Sequence, residues 1–188
     1  MSENTQQART VTSADHGKLD VRALVLLAVL LAAGFILNFT VGKAISGATG
    51  GLISPEFIIS AFCLTILVVR PNIGQALVIG LISAAVIQIT TTSPFIDFAA
   101  EGVAAMLMAA IVNGMMGGKA AKVVPLVGTF VTTVVSGLIF MVIKIAMIGA
   151  AQQLAAAMLP VVVLTAVFNA ILVQALYLPI RKALKLND

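Results

Sequence analysis

Residues 123–149 read VVPLVGTFVTTVVSGLIFMVIKIAMIG, 27 positions that carry one charge, Lys144. A helix needs about 20 apolar residues, at about 1.5 Å rise each, to cross a bilayer. This run crosses with length to spare, so it must tilt, bend or project. Four further apolar runs precede it, Val21 to Thr40, Pro55 to Val69, Ile73 to Thr90 and Phe98 to Met116, and one follows, Leu159 to Ile180. The second counts 15 residues and is short for a perpendicular span. Unequal lengths predict a bundle with a recess.

The whole chain agrees with that reading. Of its 188 residues 61% are hydrophobic and 10% charged, with a mean hydropathy of +1.15. Soluble domains average about 25% charged residues, so this composition cannot clothe a water-exposed surface. The expectation is an all-α integral membrane protein: a six-transmembrane-helix bundle over residues 21–185, preceded by a disordered tail over residues 1–20. That tail mixes Glu3, Arg9, Asp15, His16 and Lys18 with Thr, Ser and Gln, too little apolar surface to fold alone. A cleaved signal peptide, with Ala44-Ile45-Ser46 as a weak cleavage site, is the rival reading of the N-terminus. The first run's 20 residues exceed the usual apolar core of about 7–15, which favours a span. Six spans leave no room for a soluble nucleotide-binding domain, a receptor domain or a nucleic-acid module. No nucleic-acid partner is expected, and the net charge of +4 reads as a topology signal.

Lys and Arg set the orientation, because short cytoplasmic loops retain positive charge. With six spans, nine of the 11 basic residues fall on one side: Arg9, Lys18, Arg22, Arg70, Lys119, Lys122, Arg181, Lys182 and Lys185. Lys43 alone falls in a loop on the other side, and Lys144 lies within the fifth span. A multi-pass protein of the cell membrane with both termini cytoplasmic is expected. The inside turns are tight, at Arg70-Pro71-Asn72 and Gly117-Gly118-Lys119, where Pro and Gly stop helices. The outside connections, Val41 to Ser54, Thr91 to Asp97 and Ala150 to Met158, are longer. They suit a lid, or vary simply as loops do.

The chemistry gathers on the outer side. Glu56, Asp97 and Glu101 all map to the outer ends of spans two and four, and Lys144 lies about 8 Å below the outer end of span five at about 1.5 Å per residue. A charge at the bilayer centre costs about 2.5–3.5 kcal/mol or more, so such groups usually face a polar cavity on a functional path. Asp97 and Glu101, four apart, share a helix face. Two readings stand for Lys144 and Glu101. Either Lys144 pairs with Glu101 or snorkels to the outer headgroups, or the two flank a zwitterion, Lys144 holding its carboxylate and Glu101, aided by Asp97, its ammonium. Glu56 follows Ser54-Pro55 and is equally a helix cap or a ligand contact. Gln88 and Thr91, with Thr90, Thr92 and Ser93, end span three on the same side and can line the recess. Asn38 and Asn169 sit in apolar runs, as ligand contacts or as hydrogen bonds between helices.

Several enzyme constellations fail. The one histidine, His16, lies in the tail, so neither a Ser-His dyad nor a His-based metal site can be built in the bundle. Gly117-Gly118-Lys119-Ala120 lacks both the earlier glycine of a phosphate-binding loop, which is Asn113 here, and the metal-binding hydroxyl. No catalytic residues, metal or cofactor are expected, and the protein is not read as an enzyme. The single cysteine, Cys63, lies in an apolar run and reads as a buried hydrophobe. Small residues recur at four-residue spacing at Ala28 and Ala32, at Ala76, Gly80 and Ala84, and at Gly128, Thr132 and Ser136. Such stripes allow close helix approach in lipid. Most are expected to pack internally, with Ala28 and Ala32 as the candidate dock for another membrane protein.

Six helices in under 200 residues, cytoplasmic termini, Ala28-x-x-x-Ala32 in the first helix and a long outer loop after it resemble the substrate-binding S component of an energy-coupling factor (ECF) transporter. Within that group the chain is most similar to the tryptophan-transport family. The similar stretches are Ser54-Pro55-Glu56-Phe57, Thr90-Thr91-Thr92-Ser93-Pro94, Val135-Ser136-Gly137 and Leu178-Pro179-Ile180, and the likeness spans residues 21 to 185. The resemblance implies a transmembrane coupling protein and two cytoplasmic ATPases as partners. It also implies capture from outside of tryptophan or a related amino acid or vitamin-like compound, with toppling in the membrane once the coupling protein engages the first helix. Two alternatives remain beside it. One is a small stand-alone secondary transporter working as an oligomer with Glu101 or Asp97 as proton relay. The other is a non-transport membrane assembly subunit.

Overall fold

A computed structural model describes residues 19–91, 93–118, 120–149 and 151–185. Residues 1–18 of the expected tail, with His16, lie outside the described residues, as do Thr92, Lys119, Ala150 and Asp188.

Helix α1, Val21–Leu37, starts where the Asp20 carboxylate accepts the Ala23 N–H at 2.8 Å, one of the donors a helix start leaves unpaired. It runs through a π turn, Asn38–Gly42, into α2, Lys43–Ala48, and the backbone stays right-handed helical throughout. The connection expected to loop from Val41 is thus helical as far as Ala48. Gly42 and Gly47 weaken a helix without breaking it. The break comes at Gly50 and Gly51, whose φ of 61° and 83° lie where a Cβ would clash.

Helix α3, Phe57–Val69, stops at Arg70, in left-handed backbone just before Pro71. Helix α4, Ile73–Ile87, opens with a capping box in which Asn72 and Gln75 satisfy each other's backbone N–H. Helix α5, Ile96–Met115, follows Phe95, and α6, Val124–Ile148, ends at Gly149 with φ 78°. Helix α7, Ala151–Ala183, absorbs most of the connection expected at Ala150 to Met158. The reason is local: Ala151-Gln152-Gln153-Leu154-Ala155-Ala156-Ala157 is made of strong helix formers. Pro160 therefore sits inside a helix, which lipid-embedded bundles tolerate when neighbours satisfy the freed carbonyl.

Among the described residues four helices are long and apolar enough to cross a membrane, Val21–Ala48, Ile96–Met115, Val124–Ile148 and Gln153–Ala183, as befits a multi-pass membrane protein. Helices α3 and α4, of 13 and 15 residues, are apolar but shorter. Large apolar side chains such as Val21, Ile36, Val142 and Met147 point outward, the reverse of a soluble bundle.

Helix α3 sits at the centre, against α1, α4, α5, α6 and α7, with every residue from Phe57 to Val68 buried. Its 13 residues rise about 20 Å, less than the about 30 Å of hydrocarbon that its longer neighbours are long enough to cross. Space is left over its N-terminus. At its other end the bundle closes, where Asn113 donates to the Pro71 carbonyl and Gln174 to the Lys122 carbonyl.

Candidate functional site

The space over the N-terminus of α3 is a cavity of about 550 Å³, inside the about 300–1,000 Å³ range of small-molecule sites. Its apolar wall comes from Phe39, Ile59, Ile87, Phe140, Met158 and Val162. Its polar groups come from every surrounding element: Asn38 at the start of the π turn, Lys43 at the start of α2, Glu56 before α3, Thr91 after α4, Asp97 and Glu101 on α5, Thr133 and Ser136 on α6, and Thr165 on α7.

Glu101 is 3% exposed, deep in the bundle. Its Oε1 accepts from the Ser136 hydroxyl at 3.0 Å, whereas Oε2 is buried without a partner. The Thr133 hydroxyl, on the same cavity wall, is likewise buried and unpartnered. A buried carboxylate oxygen and a hydroxyl left unsatisfied are costly, and such orphans call for an explanation in a missing partner. The depth of Glu101 depends on close packing behind it: a Cβ on Gly80 of α4 would lie 2.5 Å from the Glu101 carbonyl oxygen and 2.8 Å from Ala105 Cβ. Only glycine lets α4 and α5 approach this closely.

Asp97, also buried, is held from the preceding connection. Gln88 Nε2 donates to Asp97 Oδ2 at 3.2 Å, and Gln88 Oε1 accepts the Phe95 N–H at 3.0 Å, tying the left-handed Phe95 to the end of α4. Gln88 thus orients Asp97 and is not itself part of the cavity wall. Thr91 lines the cavity and accepts the Ser93 N–H.

Glu56 does not cap its own helix. Two asparagines from neighbouring spans do the capping. Asn38 Oδ1 accepts the Phe57 N–H at 2.9 Å, and Asn169 Oδ1 accepts the Glu56 N–H at 3.3 Å. Thr165 closes the same segment, accepting from the Ser54 N–H and donating to the Ser54 carbonyl. Because α1 and α7 satisfy these backbone groups, the Glu56 side chain is left to line the cavity, with the Asn38 side chain as its hydrogen-bonding neighbour. Asn169 itself is fully buried behind the wall, and its role is to position Glu56.

Lys144 stands apart from this group. Its Nζ lies 5.3 Å from the centre of the Phe140 ring, a cation–π contact, and it is not in the cavity wall. Lys144 lies five residues before Gly149, the residue that ends α6, and its azimuth on the helix sets it over the Phe140 ring. Among the described residues Glu101 makes no ion pair with Lys144: Ser136 engages one of its oxygens and nothing engages the other. Lys144 is near enough to act electrostatically on Asp97. The basic residue of the cavity wall is Lys43, which sequence reasoning left in a loop. It acts on Glu56, while Glu56, Asp97 and Glu101 act on one another as like charges. The signal was present in the sequence: Lys43 is the one basic residue expected in an outer connection.

The small-residue stripes divide as expected. Ala76, Gly80 and Ala84 on α4 and Gly128, Thr132 and Ser136 on α6 are buried, whereas Ala28 and Ala32 lie exposed on α1, each next to a buried leucine, Leu27 and Leu31. No group of three or more His, Cys, Asp or Glu side chains among the described residues is arranged to hold a metal ion. Comparison with protein-family models, with curated proteins and with solved structures finds no match to this chain.

Proposed function

We propose that the chain is the membrane-embedded substrate-binding S component of an ECF-type importer, capturing a small organic nutrient of the amino-acid or vitamin-like kind from outside the cell. In this reading α3 and α4 also span, giving six spans in the cell membrane with both termini cytoplasmic. Arg22, Arg70, Lys122, Arg181, Lys182 and Lys185 then lie on the retained side, in keeping with the positive-inside rule. The cavity opens outward, where the nutrient arrives.

The observation that carries the reading is the unpartnered Glu101 Oε2 in the wall of a cavity of about 550 Å³. A structural subunit has no use for a void lined by three carboxylates, since each costs stability unless a ligand completes it. The exposed Ala28 and Ala32 support a dock for a transmembrane coupling protein, because small side chains admit a close helix partner. Two cytoplasmic ATPases would then supply the energy.

The reading is tested by coexpressing the chain with a coupling protein and its two ATPases in vesicles, after identifying by mass spectrometry the compound that copurifies with the chain. Uptake of that compound only with ATP supports it. Uptake without the ATPases makes the chain a stand-alone secondary transporter, and absence of any bound compound or uptake makes it an assembly subunit.

A further inference from the structure

We infer that the cavity recognises an organic amine with a net positive charge, its ammonium seated on Glu101 Oε2 and Thr133 Oγ1, and that a carboxylate on the ligand weakens binding. The inference rests on the binding role proposed above and names its ligand class.

Three observations carry it. The unpartnered buried polar atoms of the cavity-lining residues, Glu101 Oε2 and Thr133 Oγ1, can both accept from an N–H donor. An ammonium has three such donors and a compensating charge, so it can engage both atoms and reach toward Asp97. The charges on the wall are unequal: Glu56, Asp97 and Glu101 share it with one basic residue, Lys43, while Lys144 acts on Asp97 from beyond the wall. Lys43 is exposed near Glu56, while Asp97 and Glu101 are buried. A zwitterion brings a carboxylate into this field with no buried cation to receive it, because Lys144 lies along Phe140 outside the wall. The zwitterion expected between Lys144 and Glu101 therefore has no lysine in the wall for its carboxylate, and only the ammonium half of that expectation is carried forward. Finally, Phe39, Phe140, Met158 and Val162 offer an apolar, partly aromatic wall for the body of the ligand.

The two charges compensate each other. A lone buried carboxylate is costly, and so is an ammonium stripped of water. Bringing them together in the cavity removes both penalties, and an amino acid's second charge restores one of them.

The test uses purified full-length protein in detergent and three matched probe sets, each an amine, its parent amino acid and the corresponding acid without nitrogen. These are tryptamine, tryptophan and indole-3-propionate; phenethylamine, phenylalanine and 3-phenylpropionate; histamine, histidine and imidazole-propionate. Calorimetry measures all, and for the indoles the chain's lack of Trp leaves ligand fluorescence unobscured. The expected result is that in at least one set the amine binds about tenfold or more tighter than its amino acid, with the acid not binding. Glu101→Gln is expected to weaken that amine at least about 30-fold, as for an unpaired buried charge. Ser136→Ala, which frees Glu101 Oε1 without removing its charge, guards against a folding artefact and is expected to cost less than Glu101→Gln. Failure of every amine to bind, tighter binding of the amino acid or the acid, or an unchanged amine affinity in folded Glu101→Gln overturns the inference. Amine binding without ATP-driven uptake removes the importer reading and leaves the amine site. ATP-driven uptake of a solute without an amine does the reverse.

Discussion

Helices α1 and α4 carry the same small-x-x-x-small spacing and use it in opposite ways. On α4, Ala76, Gly80 and Ala84 are buried against an α5 that is itself rich in alanine, at Ala100, Ala104, Ala105 and Ala109. Two backbones meet there, and a Cβ on Gly80 would lie 2.5 Å from the Glu101 carbonyl oxygen. On α1, Ala28 and Ala32 face outward while Leu27 and Leu31 next to them meet the core. The spacing announces a surface that admits close approach. It does not say whether the approaching helix belongs to the same chain. The larger side chains at neighbouring positions decide: on α1 Leu27 and Leu31 turn to the core and leave the alanines outside, whereas on α4 Val78, Leu81 and Ile82 turn outward and leave the small residues inside.

The largest effect is expected where the comparison is tightest. Gly80→Val places branched carbon against the α5 backbone, which cannot yield as a flexible side chain does. The cost is expected to reach about 3 kcal/mol, the upper range for overpacking, read as a fall in thermal unfolding temperature in detergent. Gly80→Ala is expected to cost less and yet to weaken ligand binding, because α5 carries Glu101 outward as it shifts. An alanine variant with native stability and native affinity would mean that the α4–α5 contact adjusts freely, and the distinction between the two stripes would lose its basis.

A middle-sized effect is expected at the capped start of α3. Asn169→Leu keeps volume and removes the acceptor for the Glu56 N–H, leaving that donor unpaired. The expected loss is about 1–2 kcal/mol of stability, as for one buried hydrogen bond, together with weaker amine binding as Glu56 loses its anchor. If stability falls but binding is unchanged, Asn169 holds the fold and Glu56 takes no part in the site.

How far these features could be read from the sequence follows from where their causes lie. Apolar runs are properties of single segments, so the helices at residues 57–69, 73–87, 96–115 and 124–148 fall within a few residues of the expected spans. Helix ends without strong punctuation were missed: Lys43–Ala48 and the first turns of α7 contain no Pro, and their Ala residues prolong the helix past the apolar run. The convergence of Glu56, Asp97 and Glu101 was legible because each sits near the same end of its helix, a matter of counting. Which way Lys144 points was not, since α6 turns about 100° per residue and only its neighbours fix its azimuth. The capping of α3 by Asn38 and Asn169 is of the same kind, joining residues 19 and 113 positions apart.

The smallest effect on stability, and the sharpest test of the comparison, is expected from Ala28→Leu with Ala32→Leu. Both side chains point away from the core, so added methyl groups meet lipid and not protein. Leucine enters lipid at least as readily as alanine, and unfolding in detergent is expected to change by less than about 0.5 kcal/mol, as for substitutions that touch nothing internal. Amine affinity is expected to stay at its wild-type value, because the nearest wall residues of that helix, Asn38 and Phe39, lie beyond its last turn. What the two leucines change is the distance at which another helix can lie against α1. On the importer reading, copurification with the coupling protein and ATP-driven uptake are both expected to be lost while ligand binding persists. If the double variant instead unfolds more easily, the α1 stripe is a packing surface like that of α4. If stability, binding and uptake all survive, the outward stripe meets only lipid, and the coupling protein, where one engages, does so on another face.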